Sequence, residues 1–391
     1  MPSSSPNPLR EVHRQAEAEF QNWAETEIVQ TFGEPQAEYA AIRKSVGLMD
    51  LPQRGVLELT GKDRLTFLNN LITNQTWDKQ AKKGLEAGRG VYAFLLNLKG
   101  RVVADLNVLE LGDRTLIETE SRLVEPVRSV LEKYVFTEQV KMISRVGQLH
   151  EIALHGPKAI DVLGVGLVDQ QGVSKTQLFD AEPIFWRDDS AGVPGYNLII
   201  PTELARVLWM KLIDHLGGER GKRVLRPVGW AAFNATRIEA GRPVFGIDFD
   251  GAPVASAAPG SKDDSNTGAL PAETGLFERA VSVTKGCYLG QEIVARMHAR
   301  GQVARQVVGV RMEGDALPIA GEQVFDADGA SPIGVITSST VSPVLSNAAI
   351  AFAMIKRPHF GVGAKLKVPA EGAMRDATVV ELPFIRHAGN K

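Results

Sequence analysis

The residues best placed for chemistry lie in one octapeptide, Lys285-Gly286-Cys287-Tyr288-Leu289-Gly290-Gln291-Glu292, which holds the chain's only cysteine. Before it, Val281 to Thr284 leans towards β-branched residues, as a strand end does. After it, Ile293, Val294 and Met297 are spaced for a short helix that stops near Gly301. A thiol at such a strand-to-helix turn sits beside unpaired backbone N–H groups and the positive end of the helix dipole. That field favours thiolate, and Lys285 adds to it. The competing reading of a lone cysteine is a small, buried, inert hydrophobe. Other familiar chemistry is missing. Gly88-Arg89-Gly90 and Gly164-Val165-Gly166 lack the remaining glycines of a dinucleotide fingerprint, and no Walker loop is present. The seven histidines never pair at metal-ligand spacing. Ser261 sits in a Gly/Ser-rich stretch, not on a nucleophile elbow.

The elements that must carry these groups are those of a large protein. At 391 residues, two or three domains are expected. With 44% hydrophobic and 23% charged residues, the composition is that of an ordinary globular protein. A net charge of -2, from 44 basic and 46 acidic residues, argues against a broad nucleic-acid footprint. One cysteine excludes an intrachain disulfide, fits a reducing compartment, and cannot hold an iron–sulfur cluster alone. The longest apolar run, Ala348 to Ile355, is far short of a membrane span, and the N-terminus has no signal pattern. A cytoplasmic protein is expected.

In chain order, Met1 to Pro8 is Ser/Pro-rich and reads as disordered, and Leu9 to Phe32 as a loose amphipathic helix. Residues 55–60 alternate as a strand leading into a helical face at Leu65, Leu68, Leu71 and Ile72. Val91 to Leu96 and Arg101 to Leu111 flank Asn97-Leu98-Lys99-Gly100, a hairpin. A helix over Arg122 to Tyr134 follows the short strand Leu116 to Glu118. A second unit opens near Leu149, with strands at Glu151 to Leu154, Ile184 to Trp186 and Tyr196 to Ile200. Its helix, from Pro201 to Leu216, stops at Gly217-Gly218. Gly229 to Ala240 is a further helix. Residues 251–268 lack periodicity and read as a long flexible loop, an insertion more than a lid. From Val303 onward, short β-like runs punctuated by Gly and Pro predict a small antiparallel barrel. The class is α+β.

The octapeptide KGCYLGQE resembles the signature of the YgfZ-type folate-binding proteins, relatives of the glycine-cleavage T-protein. Residues 47–50 with 55–71, Tyr92 to Leu106, Ala153 to Ala159, Asn234 to Asp248 and Thr337 to Pro343 are similar to further segments of that superfamily. The resemblance implies a three-domain ring around a central folate channel. Its parts would be 40–148 with 222–298, then 149–221, then a barrel over 299–386, with 1–39 as an extension. It implies tetrahydrofolate or a derivative as cofactor. Asp105 or Glu239 would accept from the pterin, Tyr92 would stack on it, and Arg237 would face the glutamate tail, with Asn97 and Lys285 alongside. Read without the resemblance, Asp105 is a cross-hairpin partner, Arg237 and Glu239 an ordinary ion pair, and Asn97 a turn former. T-proteins carry paired aspartates where this hairpin has Asp105 alone, and a Gly-Glu segment where Gly192 to Tyr196 has no acid. The expected function is therefore folate binding in support of iron–sulfur cluster assembly or repair and the maturation of tRNA-modifying enzymes. Cys287 would be the working thiol, alone or as one ligand of a transient cluster shared with a partner protein. The alternative is tetrahydrofolate-dependent aminomethyl transfer, with Asp105 stabilising charge near the folate nitrogen. No stable nucleic-acid or membrane partner is expected.

Overall fold

The computed structural model describes residues 7–216, 224–262, 267–301 and 303–386. Two antiparallel-rich sheets form the body. The first runs Lys141–Ser144, Arg54–Thr60, Thr115–Glu120, Val102–Glu110, Arg89–Leu96. The helix Ser121–Glu132 covers one face, burying Leu123, Val124, Val127, Val130 and Leu131, a stripe at helical spacing. The second sheet runs Val173–Lys175, Ile184–Arg187, Gly195–Pro201, Leu149–His155, Val46–Asp50, Leu225–Pro227. The helix Thr202–Leu216 lies behind it through Ala205, Leu208, Trp209 and Leu212. The expected stop at Gly217-Gly218 falls outside the described residues.

The free faces of the two sheets meet. Val56, Leu109 and Leu116 of the first pack against Val173, Trp186 and Ile199 of the second. Sheet membership does not follow the boundaries expected from sequence. Val46–Asp50 and Leu225–Pro227, on either side of the second unit in sequence, pair with each other in parallel, and Val46–Asp50 pairs with Leu149–His155 in antiparallel register. The C-terminal strands close a barrel in the order Arg305–Met312, Ala348–Lys356, Pro332–Ser342, Gln323–Phe325, Lys365–Ala370, Ala373–Val380. The α+β class with a C-terminal antiparallel barrel is thus the observed architecture.

Four local expectations need correction. Only Arg10–Gln15 of the first predicted helix is helical; Glu19–Trp23 and Thr26–Thr31 form a hairpin. Ile28, Val29 and Thr31 are buried there, and Trp23 meets Trp230 edge-on with ring centroids 4.8 Å apart. Asn7 is not loose: its amide donates to Asp50 at 2.8 Å. Val281 to Thr284 is not a strand: Val281 N–H closes the short helix Phe277–Ala280 on the Phe277 carbonyl, and Ser282 N–H donates to the Thr73 carbonyl. The described part of 251–268 is seated on the first sheet. Ala252 N–H donates to the Val102 carbonyl at 2.7 Å, Tyr134 hydroxyl to the Ala257 carbonyl at 2.7 Å, and Val254–Ala257 is a 3-10 turn. Residues 263–266 fall outside the described residues. Among the described residues, no helix is long and apolar enough to cross a membrane.

Candidate functional site: a cleft between the sheets

Side chains alternate across a strand, so each sheet sends every second residue inward. From the first sheet come Arg54, Tyr92, Asp105, Asn107 and Glu118; from the second come Met49, Glu151, His155, Trp186 and Asn197. All line one cleft. The helix Trp230–Glu239 closes a third side with Trp230, Phe233 and Arg237, and Arg242 and Arg279 complete it.

The chemistry of the first wall is set by its carboxyls. Asp105 accepts from the Tyr92 hydroxyl at 3.2 Å through one oxygen, and its other oxygen is buried without a partner. Burial above all, with Glu118 and Glu120 adding to it against Arg54, pushes Asp105 up to about 6. Glu118 is paired with Arg54 and accepts from Asn107 at 2.7 Å. Burial and Asp105 push the Tyr92 phenol well up, so it stays a neutral donor.

Two arginines, Arg242 and Arg279, bring positive charge to the cleft. The Arg279 guanidinium lies 4.6 Å over the Tyr92 ring and 3.0 Å from Asp188. Burial lowers Arg242, and neighbouring Arg279 lowers it further. His155 is pushed down to about 4 by burial and is neutral at pH 7. Several buried polar atoms facing the cleft have no partner: Asn107 Oδ1, Glu151 Oε2, His155 Nδ1, Trp186 Nε1 and Arg237 Nη2. Buried polar atoms are normally satisfied, so such a convergence marks where a polar ligand or water belongs.

Of the residues singled out from sequence, Asp105, Tyr92 and Arg237 line this cleft. Tyr92 presents one ring face to Arg279, which occupies a stacking position. Arg237 is fully buried and ion-paired with Asp248 at 2.6 Å. Glu239 does not line the cleft. It accepts from Tyr39 at 2.9 Å and is held by Arg43 and Ser342, so the expected Arg237–Glu239 pair is replaced by two separate buried pairs. Asn97 also lies elsewhere, its Oδ1 accepting from Lys99 and Arg101 N–H at 3.0 Å, which fixes the hairpin turn. The Lys285 ammonium is buried, donating to the carbonyls of Asn69, Ile72 and Asn74, with burial and Lys79 lowering it to about 7. Cys287 is exposed, at the turn before the helix Gln291–Arg300, and does not line the cleft. The thiol is therefore not the buried hydrophobe of the competing reading. Among the described residues, no group of three His, Cys, Asp or Glu side chains could hold a metal ion.

Sequence reasoning missed Arg54, Glu118, Glu151, His155 and Arg279. The available signal was ionisable residues inside otherwise apolar strands, Glu118 and Glu120 at alternate positions and Glu151 and His155 four apart on one face.

Comparison with known proteins agrees with this architecture. Residues 9–255 match the GCVT N-terminal domain and residues 305–385 the glycine cleavage T-protein C-terminal barrel domain. An aminomethyltransferase of Saccharopolyspora erythraea is 28% identical over 402 residues, covering 99% of each chain. Another, of Chloroherpeton thalassium, is 26% identical over 97% of this chain and 98% of its own. The fold matches that of the crystal structure of glycine cleavage system aminomethyltransferase T from Bartonella henselae, with a TM-score of 0.79, 97% of both chains covered and 23% identity. The first family match alone spans more than half of the sequence. The chain belongs to the glycine-cleavage T-protein family.

Proposed function

We propose that the protein binds a reduced folate in the cleft between its two sheets and takes part in folate-dependent one-carbon chemistry of the aminomethyltransferase type. The observation that carries the reading is Asp105, a buried carboxyl with one unpartnered oxygen, held by Tyr92 and facing further unsatisfied donors and acceptors. A pterin edge alternates donors and acceptors and would satisfy such atoms. With Asp105 near 6, the group is mainly carboxylate at pH 7, positioned to stabilise positive charge developing at a ligand nitrogen. The names of the curated relatives support transfer of an aminomethyl carbon. Purified protein, tetrahydrofolate and an aminomethylated lipoyl carrier test it. Methylene-tetrahydrofolate should form catalytically, and Asp105→Asn should abolish it while folinic acid still binds. Binding without turnover in the wild type would refute the transfer.

A second reading rests on a different observation. Cys287 is exposed within the full YgfZ-type octapeptide, outside the cleft. This supports a folate-binding protein that assists iron–sulfur cluster assembly or repair, and so tRNA-modifying enzymes, with the thiol handling sulfur or lending one cluster ligand to a partner. Cys287→Ser should then leave folate affinity unchanged and abolish support of cluster enzymes in cells. Full support by the variant would eliminate this reading.

A further inference from the structure

Glu151 has no place in the reading above, yet it is the most exceptional group in the cleft. It stands mid-strand in Leu149–His155 on the inward face shared with His155, and it is 3% exposed. Its Oε2 is buried without a partner, and among the described residues no hydrogen bond or ion pair reaches its side chain. The charged groups facing it across the cleft are Arg54, on Arg54–Thr60, and Glu118, on Thr115–Glu120. Arg54 is already paired with Glu118. The flanking strands present Met49, Asn197 and Ile199, none of them titratable, while Asp50 is turned to the other face with His150. An unpaired carboxylate so buried, beside a second carboxylate whose cation is taken, is costly, and the group sheds the cost by keeping its proton.

We propose that Glu151 is a ligand-binding residue that acts as the uncharged acid, donating a hydrogen bond from the second sheet while Asp105 accepts one from the first. The proposal rests on the folate reading for its ligand and gives the cleft a polarity. The bound heterocycle presents an acceptor, a carbonyl or ring nitrogen, to Glu151 and a donor to Asp105. Burial and Glu118 together push Glu151 well above the usual carboxylate range, in accord with this.

The test uses full-length protein, folinic acid as probe, and the fluorescence of cleft residues Trp186 and Trp230 across pH 5 to 9. Wild-type affinity should fall on the alkaline side as Glu151 ionises and on the acid side as Asp105 is protonated. Glu151→Gln, which keeps a donor, should bind within about threefold at pH 7 and lose the alkaline limb only. Glu151→Leu should weaken binding about tenfold or more, the loss of one hydrogen bond to a buried group. Equal loss in the Gln and Leu variants, or none in Leu, would overturn the proposal. A second readout needs no ligand. Infrared difference spectra of wild type against Glu151→Gln at pH 7 should show a protonated-carboxyl band in the wild type. Its absence refutes the neutral acid, whereas its presence without any folinic acid binding refutes the folate reading instead.

Discussion

Replacing Arg237 by Met separates a ligand contact from a structural tie. The guanidinium is fully buried, 2.6 Å from Asp248, with Nε donating to Asn234 at 3.0 Å and the group lying over Trp230 and Phe352. Asp248 also accepts from Thr337 at 2.9 Å and from Ser338 at 2.6 Å, both on the barrel strand Pro332–Ser342. The pair therefore couples the helix Trp230–Glu239 to the barrel. Methionine keeps most of the stem's volume and removes the charge, leaving Asp248 unpaired in the interior. Breaking one side of a buried pair costs about 3–5 kcal/mol. Unfolding entropy scales with chain length, so for 391 residues unfolding as one unit this lowers Tm by about 4–6 °C. Differential scanning calorimetry measures it. The double variant Arg237→Met/Asp248→Asn should recover at least half of the loss, because the orphaned charge is then gone. The loss should be nearly independent of salt, as expected of a buried pair. A Tm for Arg237→Met within about 1 °C of wild type, or no recovery in the double variant, refutes the tie.

Three further outcomes follow from single sites. Asp50 joins His13 at 2.8 Å, His150 at 2.7 Å and Asn7 at 2.8 Å; burial alone would raise it, but the two histidines hold it well below the usual range. A depressed carboxyl contributes stability above its unfolded value and loses it as pH falls through the folded one. Asp50→Asn should therefore cost about 3 kcal/mol at pH 7 by denaturant melts, and the difference should shrink below about pH 4; a constant difference would count against the linkage. At Gly156, φ is 146° and an added Cβ would stand 2.1 Å from the Ser45 carbonyl oxygen, whereas at Gly164, φ is 64° and nothing lies within 4 Å. Gly156→Ala should destabilise by about 3 kcal/mol or more and Gly164→Ala by only about 1–2; equal melting temperatures would contradict this. Finally, Cys287 should react stoichiometrically with a disulfide reagent in the native protein, and labelling that waits for denaturant would contradict its exposure.

Much of the fold was legible because its strands and helices announce themselves locally. The Asn97 to Gly100 turn between two apolar runs, the stripe from Leu123 to Leu131, and the Gly/Pro-punctuated C-terminal runs each carry a short-range signal. The hairpin of residues 19–31 does not. Its turn uses Ala24 at φ 49°, with no glycine or asparagine to mark it, and its apolar residues also fit a helix stripe. The cleft was harder for a different reason. Glu118 and Glu151 lie on strands buried on both sides, where inward charge looks like outward polarity. Only the approach of two sheets, whose facing residues are far apart in sequence, distinguishes the two.

The resemblance implies folate contacts for Arg237, Glu239 and Lys285, and in the structure each of the three is engaged in a buried tie. Within Asn234 to Asp248, Glu239 lies away from the cleft, while Arg237 lines it and yet spends its charge on Asp248. Arg237 ties this segment to the barrel through Asp248, and Glu239 ties it to Arg43 and Tyr39 on the helix Pro35–Lys44. The same holds for Lys285, whose ammonium caps carbonyls that would otherwise be orphaned after the helix Arg64–Asn69. Asn74, whose carbonyl Lys285 holds, donates through its side chain to the Tyr92 carbonyl at 2.8 Å and the Arg279 carbonyl at 3.0 Å. The octapeptide that carries Cys287 is thus fastened, by one lysine and one asparagine, to the strand that presents Tyr92 and to the short helix Phe277–Ala280 that presents Arg279. These side-chain bonds tie the octapeptide to the backbone that carries two of the cleft's residues, while Cys287 itself stands outside the cleft and takes no part in them.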